Sequence, residues 1–382
     1  MQNPKVACYI ITHHARFKRS AWDEVRSADP EATKIEDLDV DAFLVQQSEG
    51  AEPLVDVFNR EKPIFIQHLA PVQARATDLD GTAETDFDKL EQAALAAAPI
   101  DPETAFGIQC RKGVSTVSGT HKDAAYGSRD VEVAVGTRLE LRGLKANPSA
   151  YTQVLSIYLS GTSGYVGVSL ASENLTDRAD EHRYRSLTDT QISRAEHKLS
   201  EALGVFGLTV NAGTRALDLG AAPGGWTNVL AQLGAHVVAV DPGALDPVLA
   251  DNPLVDHRRE RIENLVFEPG SFDLVVNDMN LEPWESAALM CMVAPWAAEG
   301  SDAVMTIKMM KGHPKRLIER GVAVLDHAYE VVGIRHLHHN RQEVTAHLRR
   351  KAGPVSDGWQ EFIIEGRGQQ PAKDEAAAAE GE

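Results

Sequence analysis

The stretch Ala216-Leu217-Asp218-Leu219-Gly220-Ala221-Ala222-Pro223-Gly224-Gly225-Trp226-Thr227 limits the possible folds more than any other part of the chain. Residues 215–219 read as a short buried strand, the Gly/Pro run as a sharp turn, and residues from Trp226 to about Leu233 as an amphipathic helix. Strand, glycine-rich elbow and helix N-terminus together make the unit that binds nucleotide-like ligands in open α/β sheets. Gly220, Gly224 and Gly225 let backbone approach a ligand where a Cβ would intervene, and Ala221, Ala222 and Pro223 complete the candidate contact surface. The dinucleotide fingerprint G-x-G-x-x-G is absent, because Ala222 and Pro223 occupy positions that need a glycine and free N–H groups. A carboxylate at the strand end, Asp218, suits a ligand with an ammonium and a sulfonium better than a pyrophosphate. S-adenosylmethionine meets that description; an ordinary Gly-rich turn is the competing reading of the elbow alone.

Around this stretch strands and helices alternate, as in a doubly wound parallel α/β sheet. Ser193 opens a helix reaching residues 201–203, and strands follow the first at 236–240, 257–262, 272–277 and 303–307. Residues 285–298 and 314–328 read as helices, and 329–336 with 344–350 as a closing antiparallel pair. Ligands of such sheets lie beyond the carboxyl ends of the strands, where this chain places Asp218, Asp241, Asp278 and Lys308. Asp241 is positioned to accept the ribose hydroxyls of an adenosyl group, although an Asp before Pro-Gly also reads as a turn former. Asp278 and Lys308 face the reacting end, Lys308 at the rim of a buried strand. Two further charges complete the set: Lys198 on the helix before the sheet, and Glu343 at the start of the last strand.

The first half has a different pattern. Residues 1–72 read as a small α+β domain, with strands at 5–12 and 64–68, a helix near 16–26 and a solvated acidic stretch between. Residues 73–175 form a second α+β region: helix 86–98, strand 106–112, loop 114–128, and a helix over 128–143 with Ser128 as N-cap and Val131, Val135, Leu139 and Leu141 on one side. A hairpin of 153–159 and 165–170 closes it. Residues 176–192 are a linker carrying Arg178, His182, Arg183 and Arg185, the next domain spans 193–365, and 366–382 read as a disordered tail.

The chain has 382 residues, and its three scattered cysteines fit neither a zinc pattern nor a disulfide framework, so a reducing cytoplasm is expected and no metal. No membrane span or basic-then-apolar leader is read. The formal net charge of −18 opposes a polyanionic partner, but the charge is unevenly spread. Nine acidic residues against Lys34 fall between Asp29 and Asp56, whereas ten Lys/Arg against five Asp/Glu fall between Gly300 and Lys351. Nucleic-acid binding requires a local basic stripe rather than a basic protein. Lys308, Lys311, Lys315 and Arg316 are expected on one rim, Arg335, Arg341, Arg349 and Arg350 on the other, and Arg111, Lys112, Lys122 and Arg129 as an extension.

Five segments now point to one family. Ser193-Arg194-Ala195-Glu196-His197-Lys198-Leu199, the elbow from Asp218 to Thr227, Asn277-Asp278-Met279, Ile307-Lys308 and Glu343-Val344 resemble the FtsJ/RrmJ-like ribose 2′-O-methyltransferases. The resemblance implies a Rossmann-like class I fold, S-adenosylmethionine as cofactor, and a Lys-Asp-Lys-Glu catalytic tetrad at Lys198, Asp278, Lys308 and Glu343. It implies cofactor contacts at Asp218, the 220–226 elbow, Asp241 and Asp278. The layout is similar to that of members that carry a THUMP RNA-binding domain in front and act on large-subunit ribosomal RNA. Residues 106–170 are similar to a THUMP core, and 340–350 to the ending of such members. The chain departs from the family after the third strand, where an acid usually lies near the adenine and Arg259-Glu260-Arg261-Ile262-Glu263 stands here; Glu260 is the candidate.

The reaction so implied is in-line transfer of a methyl from a sulfonium to a ribose hydroxyl, for which the protein mainly aligns the oxygen and handles its proton. Lys308 is the candidate, as proton acceptor or as a cation at the developing alkoxide. Base-amino methylation would call for Pro-Pro-aromatic after the fourth strand; Asp278-Met279-Asn280-Leu281 has none, and Trp284 stands too far along to be taken as a stacking residue. Cytosine C5 chemistry needs a nucleophilic cysteine, but Cys291 falls mid-helix. A methyltransferase-like RNA-binding or ribosome-assembly factor without turnover, or methylation of another RNA such as tRNA, are the alternatives.

Overall fold

A computed structural model describes residues 8–113, 124–175, 192–309 and 312–364. The chain divides into two compact units: residues 1–185 with 335–341, and residues 186–334 with 342–382.

The first unit contains two sheets. Strands β1 (Cys8–His13), β2 (Thr33–Asp39), β3 (Ala42–Gln46) and β4 (Ile66–Pro71) form the first in the order β2-β3-β1-β4, with helices α1 (Lys18–Ala28) and α2 (Leu54–Glu61). β2, β3 and α2 were not expected within the acidic stretch. β2 is an edge strand whose acidic side chains are largely exposed, so it carries no apolar alternation to read. Strands β5 (Ala74–Ala76), β6 (Ala105–Lys112), β7 (Lys145–Ala146), β8 (Gln153–Ser160) and β9 (Ser163–Leu170) form the second sheet, ordered β5-β9-β8-β6-β7. Leu90, Val131, Val135 and Leu139 of α3 (Ala83–Ala96) and α4 (Ser128–Glu140) bury one of its faces with Phe106, Cys110, Leu155 and Ile157. Two details of α4 differ from expectation. Gly127 occupies the cap position and donates its N–H to Asp130, and Leu141 is exposed, because it falls off the buried stripe. The expected loop 114–128 lies mostly outside the described residues, as do Lys122, most of the linker and the tail.

The second unit is a seven-stranded sheet: β10 (Arg215–Leu219), β11 (His236–Val240), β12 (Val255–Arg258), β13 (Phe272–Asn277), β14 (Ala297–Lys308), β15 (Tyr329–Arg335) and β16 (Glu343–Arg350). The order is β12-β11-β10-β13-β14-β16-β15; β12 to β14 pair in parallel and β16 runs antiparallel to β14. The order reverses between β10 and β13, which opens a crevice at their carboxyl ends. Helices α5 (Ala195–Val205), α6 (Gly225–Gln232), α7 (Pro283–Val293) and α8 (Pro314–Leu325) complete the doubly wound fold. β10, β11 and β13 match the expected bounds. β12 is shorter and earlier than expected, because an edge strand with exposed side chains gives little apolar signal. β14 begins at Ala297 and takes the end of the expected helix 285–298, while α8 stops at Leu325.

The elbow glycines are needed by the fold itself. Gly220 has φ +71°, and a Cβ there would lie 2.3 Å from Met279 Cγ; Gly224 has φ +111°, and its Cβ would lie 2.4 Å from Leu249 Cδ1. Gly224→Ala is therefore expected to destabilise the fold by about 1–3 kcal/mol, read as a lower midpoint in urea unfolding; an unchanged midpoint would show that the elbow relaxes freely.

Candidate active site

The side chain at the centre is Asp278, the residue after β13. Lys308 Nζ donates to its Oδ1 at 2.7 Å and Lys198 Nζ to its Oδ2 at 2.6 Å. Thr306 Oγ1 donates to Oδ1 at 2.8 Å, and Lys198 Nζ lies 3.5 Å from Glu343 Oε1. Four separate elements supply the tetrad. Lys198 comes from the first turn of α5, Asp278 follows β13, Lys308 ends β14, and Glu343 begins β16. Antiparallel pairing of β14 with β16 sets Lys308 directly opposite Glu343. All four side chains are largely buried. Burial pushes the Asp278 carboxyl upward, but the charges of Lys308 and Lys198 outweigh it and hold the group below the usual carboxylate range.

Local sequence explains why these groups stay in place. Asn277 donates to Ser286 Oγ at 3.2 Å and accepts from the Met279 N–H at 2.9 Å, which fixes the turn carrying Asp278. Ser193 and Glu196 hold the chain entering α5: Ser193 Oγ accepts the Ala195 N–H, and Glu196 Oε1 accepts the N–H groups of Ile192 and Ser193. Trp226, 3 % exposed, donates its indole N–H to the Ala195 carbonyl at 2.8 Å, tying α6 to the helix that carries Lys198. Thr306 and Asn277 were not singled out. The signal for Thr306 was present, since residues two apart on a strand share a face and Thr306 therefore points with Lys308.

The cofactor candidates fall around the elbow with three distinctions. Asp218 is fully buried and accepts from Thr227 Oγ1 at 2.6 Å; burial, with Asp278 and Asp241 nearby, pushes its carboxyl up to about 7. Asp241 accepts the N–H of Ala222 at 3.1 Å and of Gly243 at 2.6 Å, so it holds the elbow against the end of β11. Ala221 and Ala222 lie with it, and the Ala222–Pro223 peptide is cis. Gly225 packs against Ser193, whose Oγ would lie 2.3 Å from a Cβ there. Glu260 is exposed beyond β12. Trp226 is thus held in the packing between two helices, and Glu260 stands at the surface.

Two of the expected surface cations are corrected. Arg335 and Arg350 are buried: Arg335 donates to the Ile66 carbonyl, and Arg350 to those of Ala294, Lys351 and Gly353. A guanidinium can reach backbone carbonyls from a buried position, which a count of charges along the sequence does not reveal. Arg349 pairs with Asp302, Lys112 donates to the Tyr126 carbonyl, and Arg111 contacts Gln109 and His68. Lys315, Arg316, Arg341 and Arg129 are exposed, and Lys311 lies outside the described residues.

Asp218 generates a pH prediction. An unfolded Asp ionises near 3.8 and the folded one near 7, so between those values the unfolded chain releases a proton that the fold retains. Stability should fall as pH rises through that window, with the loss complete above about pH 7. Asp218→Asn should flatten this slope in denaturant titrations at pH 5 and pH 8; equal slopes for the two proteins would disprove the assignment.

The family model described as FtsJ-like methyltransferase matches residues 191–339. The chain is 34% identical over 204 residues to a Ribosomal RNA large subunit methyltransferase M of Methylococcus capsulatus, an alignment covering 50% of this chain and 56% of that protein. A protein of the same name from Edwardsiella ictaluri is 32% identical over 232 residues, 56% of this chain and 60% of the other. One from Pseudomonas syringae pv. syringae is 28% identical over 365 residues, 91% of this chain and 94% of the other. In the first two alignments the chain spans little more than half the length of its relatives. The elbow and strands β10 to β15 fall within the matched residues 191–339, the part of the chain that is similar to FtsJ-like methyltransferases.

Proposed function

We propose that this protein is an S-adenosylmethionine-dependent RNA ribose 2′-O-methyltransferase acting on large-subunit ribosomal RNA. The observation that carries the reading is that Lys198 and Lys308, distant in sequence, meet on the Asp278 carboxylate at the carboxyl edge of the sheet, with Glu343 beside Lys198. The names of the three relatives supply the RNA class. Free cysteines at Cys8, Cys110 and Cys291 support a reducing cytoplasm, and no described helix is long and apolar enough to cross a membrane.

The elbow fits the cofactor. Its positive-φ glycines bare the backbone at the N-terminus of α6, and Asp241, already held by two N–H groups, keeps acceptor capacity for ribose hydroxyls. Asp218, the 220–225 backbone and Asp241 would hold the adenosyl and methionyl parts, with Asp278 at the reacting end; when bound, the cofactor supplies an activated methyl group. Lys308 meets the ribose oxygen, as proton acceptor or as a cation against the developing alkoxide. Asp278 orients Lys308 through Oδ1, while Lys198, held between Asp278 and Glu343, restrains the other carboxylate oxygen. This alignment is the protein's main contribution, because an in-line displacement is sensitive to misplacement of the attacking oxygen.

The region 73–175 is proposed as a THUMP-like RNA-binding domain, supported by a sheet that two helices cover on one side. Exposed Lys315, Arg316, Arg341 and Arg129 are the proposed phosphate contacts. Lys308→Ala should retain S-adenosylmethionine binding in calorimetry yet lose methyl transfer to ribosomal RNA in a tritium assay. Near-normal transfer would remove Lys308 from the mechanism.

A further inference from the structure

Outside the tetrad, the methyltransferase unit presents a stacked pair that the proposed chemistry does not use. Trp284 near the start of α7 and Arg320 on α8 lie together, with the guanidinium carbon 3.6 Å from the indole ring centroid. Arg320 is exposed and Trp284 half-buried. The contact follows from helix packing. A Cβ on Gly321 would lie 3.4 Å from Pro283 Cβ, so the glycine lets α8 cross close to the first turn of α7 and brings Arg320 over the ring.

Its place in the fold links it to the active site. Helix α7 begins five residues after Asp278 and α8 six after Lys308, so both start at the catalytic edge. Arg316 and Arg320 lie four apart on one face of α8, His313 is the cap residue immediately before the helix, and all three are exposed. A cationic stripe therefore runs from the helix start to the stacked pair. The nearby Glu285 turns back towards the Glu282 N–H, 3.4 Å from its Oε2, and Glu319, exposed three residues after Arg316, is the acid that flanks the stripe.

A guanidinium plane backed by an indole offers a flat, cationic surface. Nucleobases stack on arginine planes and aromatic rings, and the energy is sequence-tolerant because every base has a π-face. A base can use such a surface only when it is unpaired. An acidic peptide would satisfy the stripe's charge but not its planarity. We propose that Arg320 and Trp284 form a stacking platform for an unpaired nucleotide of the RNA near the methylated ribose, with Arg316 and His313 tracking the adjoining phosphates. The proposal rests on the RNA-methylation reading above.

The test uses the full chain with an unstructured ribooligonucleotide and a fully paired RNA duplex of equal length. Trp284→Ala should weaken binding to the single strand by about tenfold, with duplex binding and the salt dependence unchanged. Trp284→Phe should retain most of the affinity, and Arg316→Ala should make the salt dependence shallower. Unaltered S-adenosylmethionine binding in each variant shows that the fold is intact. Single-strand affinity unaffected by Trp284→Ala, equal losses on duplex and single strand, or polyglutamate competing as well as RNA would each overturn the platform. Wild-type protein that neither binds S-adenosylmethionine nor methylates ribosomal RNA would instead overturn the parent reading, and the platform with it.

Discussion

The second unit depends on how one carboxylate is shared. Asp278 Oδ1 accepts from Lys308 and Thr306, and Oδ2 accepts from Lys198. A largely buried ion pair lacking such hydrogen bonds would seldom recover the cost of removing its charges from water. Here the second lysine also has Glu343 within 3.5 Å, so two cations face two anions across four elements. Removing any one group would leave the others with an unbalanced buried charge, which restrains all four positions at once. Catalysis by alignment requires this kind of mutual restraint, because a flexible lysine would sample many positions relative to a ribose oxygen.

The backbone supporting that cluster is organised around the elbow. Asp241 draws the Ala222 N–H to the end of β11, Asp218 is tied to α6 by Thr227, and Trp226 ties α6 to α5. The elbow therefore does more than bare backbone to a ligand: its helix also anchors the helix that delivers Lys198. A residue such as Trp226 can belong to a binding motif by sequence while acting through packing, and the positive-φ glycines answer to Met279 and Leu249 as well as to any ligand.

This difference marks what the sequence could reveal. The strands β10, β11 and β13 are apolar runs ending in a carboxylate or a turn, and their bounds could be read directly. The tetrad was legible because its four members sit in separate recognisable contexts. Less visible were elements without a buried face of their own: the exposed acidic edge strand β2, and β12 at the far edge of the large sheet. Charge counting also failed at Arg335 and Arg350, because burial and carbonyl partners depend on the tertiary fold. The Trp284–Arg320 stack was invisible for the same reason, since it depends on where α8 crosses α7.

One topological consequence concerns Glu343. After β15 the chain spends residues 335–341 in the first unit, then returns at Gln342 immediately before Glu343, the proposed fourth member of the tetrad. Within the first unit, the His336 N–H donates to the Ile64 carbonyl at 2.7 Å, its ring is bonded to Gln67 at 3.1 Å, and it packs against Phe17. The same segment of β4 and its approach is fixed by Glu24, whose carboxylate accepts the N–H groups of Ile64, Phe65 and Ile66. The two units are therefore interleaved along the sequence, and no single cut separates them. Glu343 follows closely, in sequence, on a segment that belongs to the first unit, a connection that the motifs of the second unit alone do not reveal.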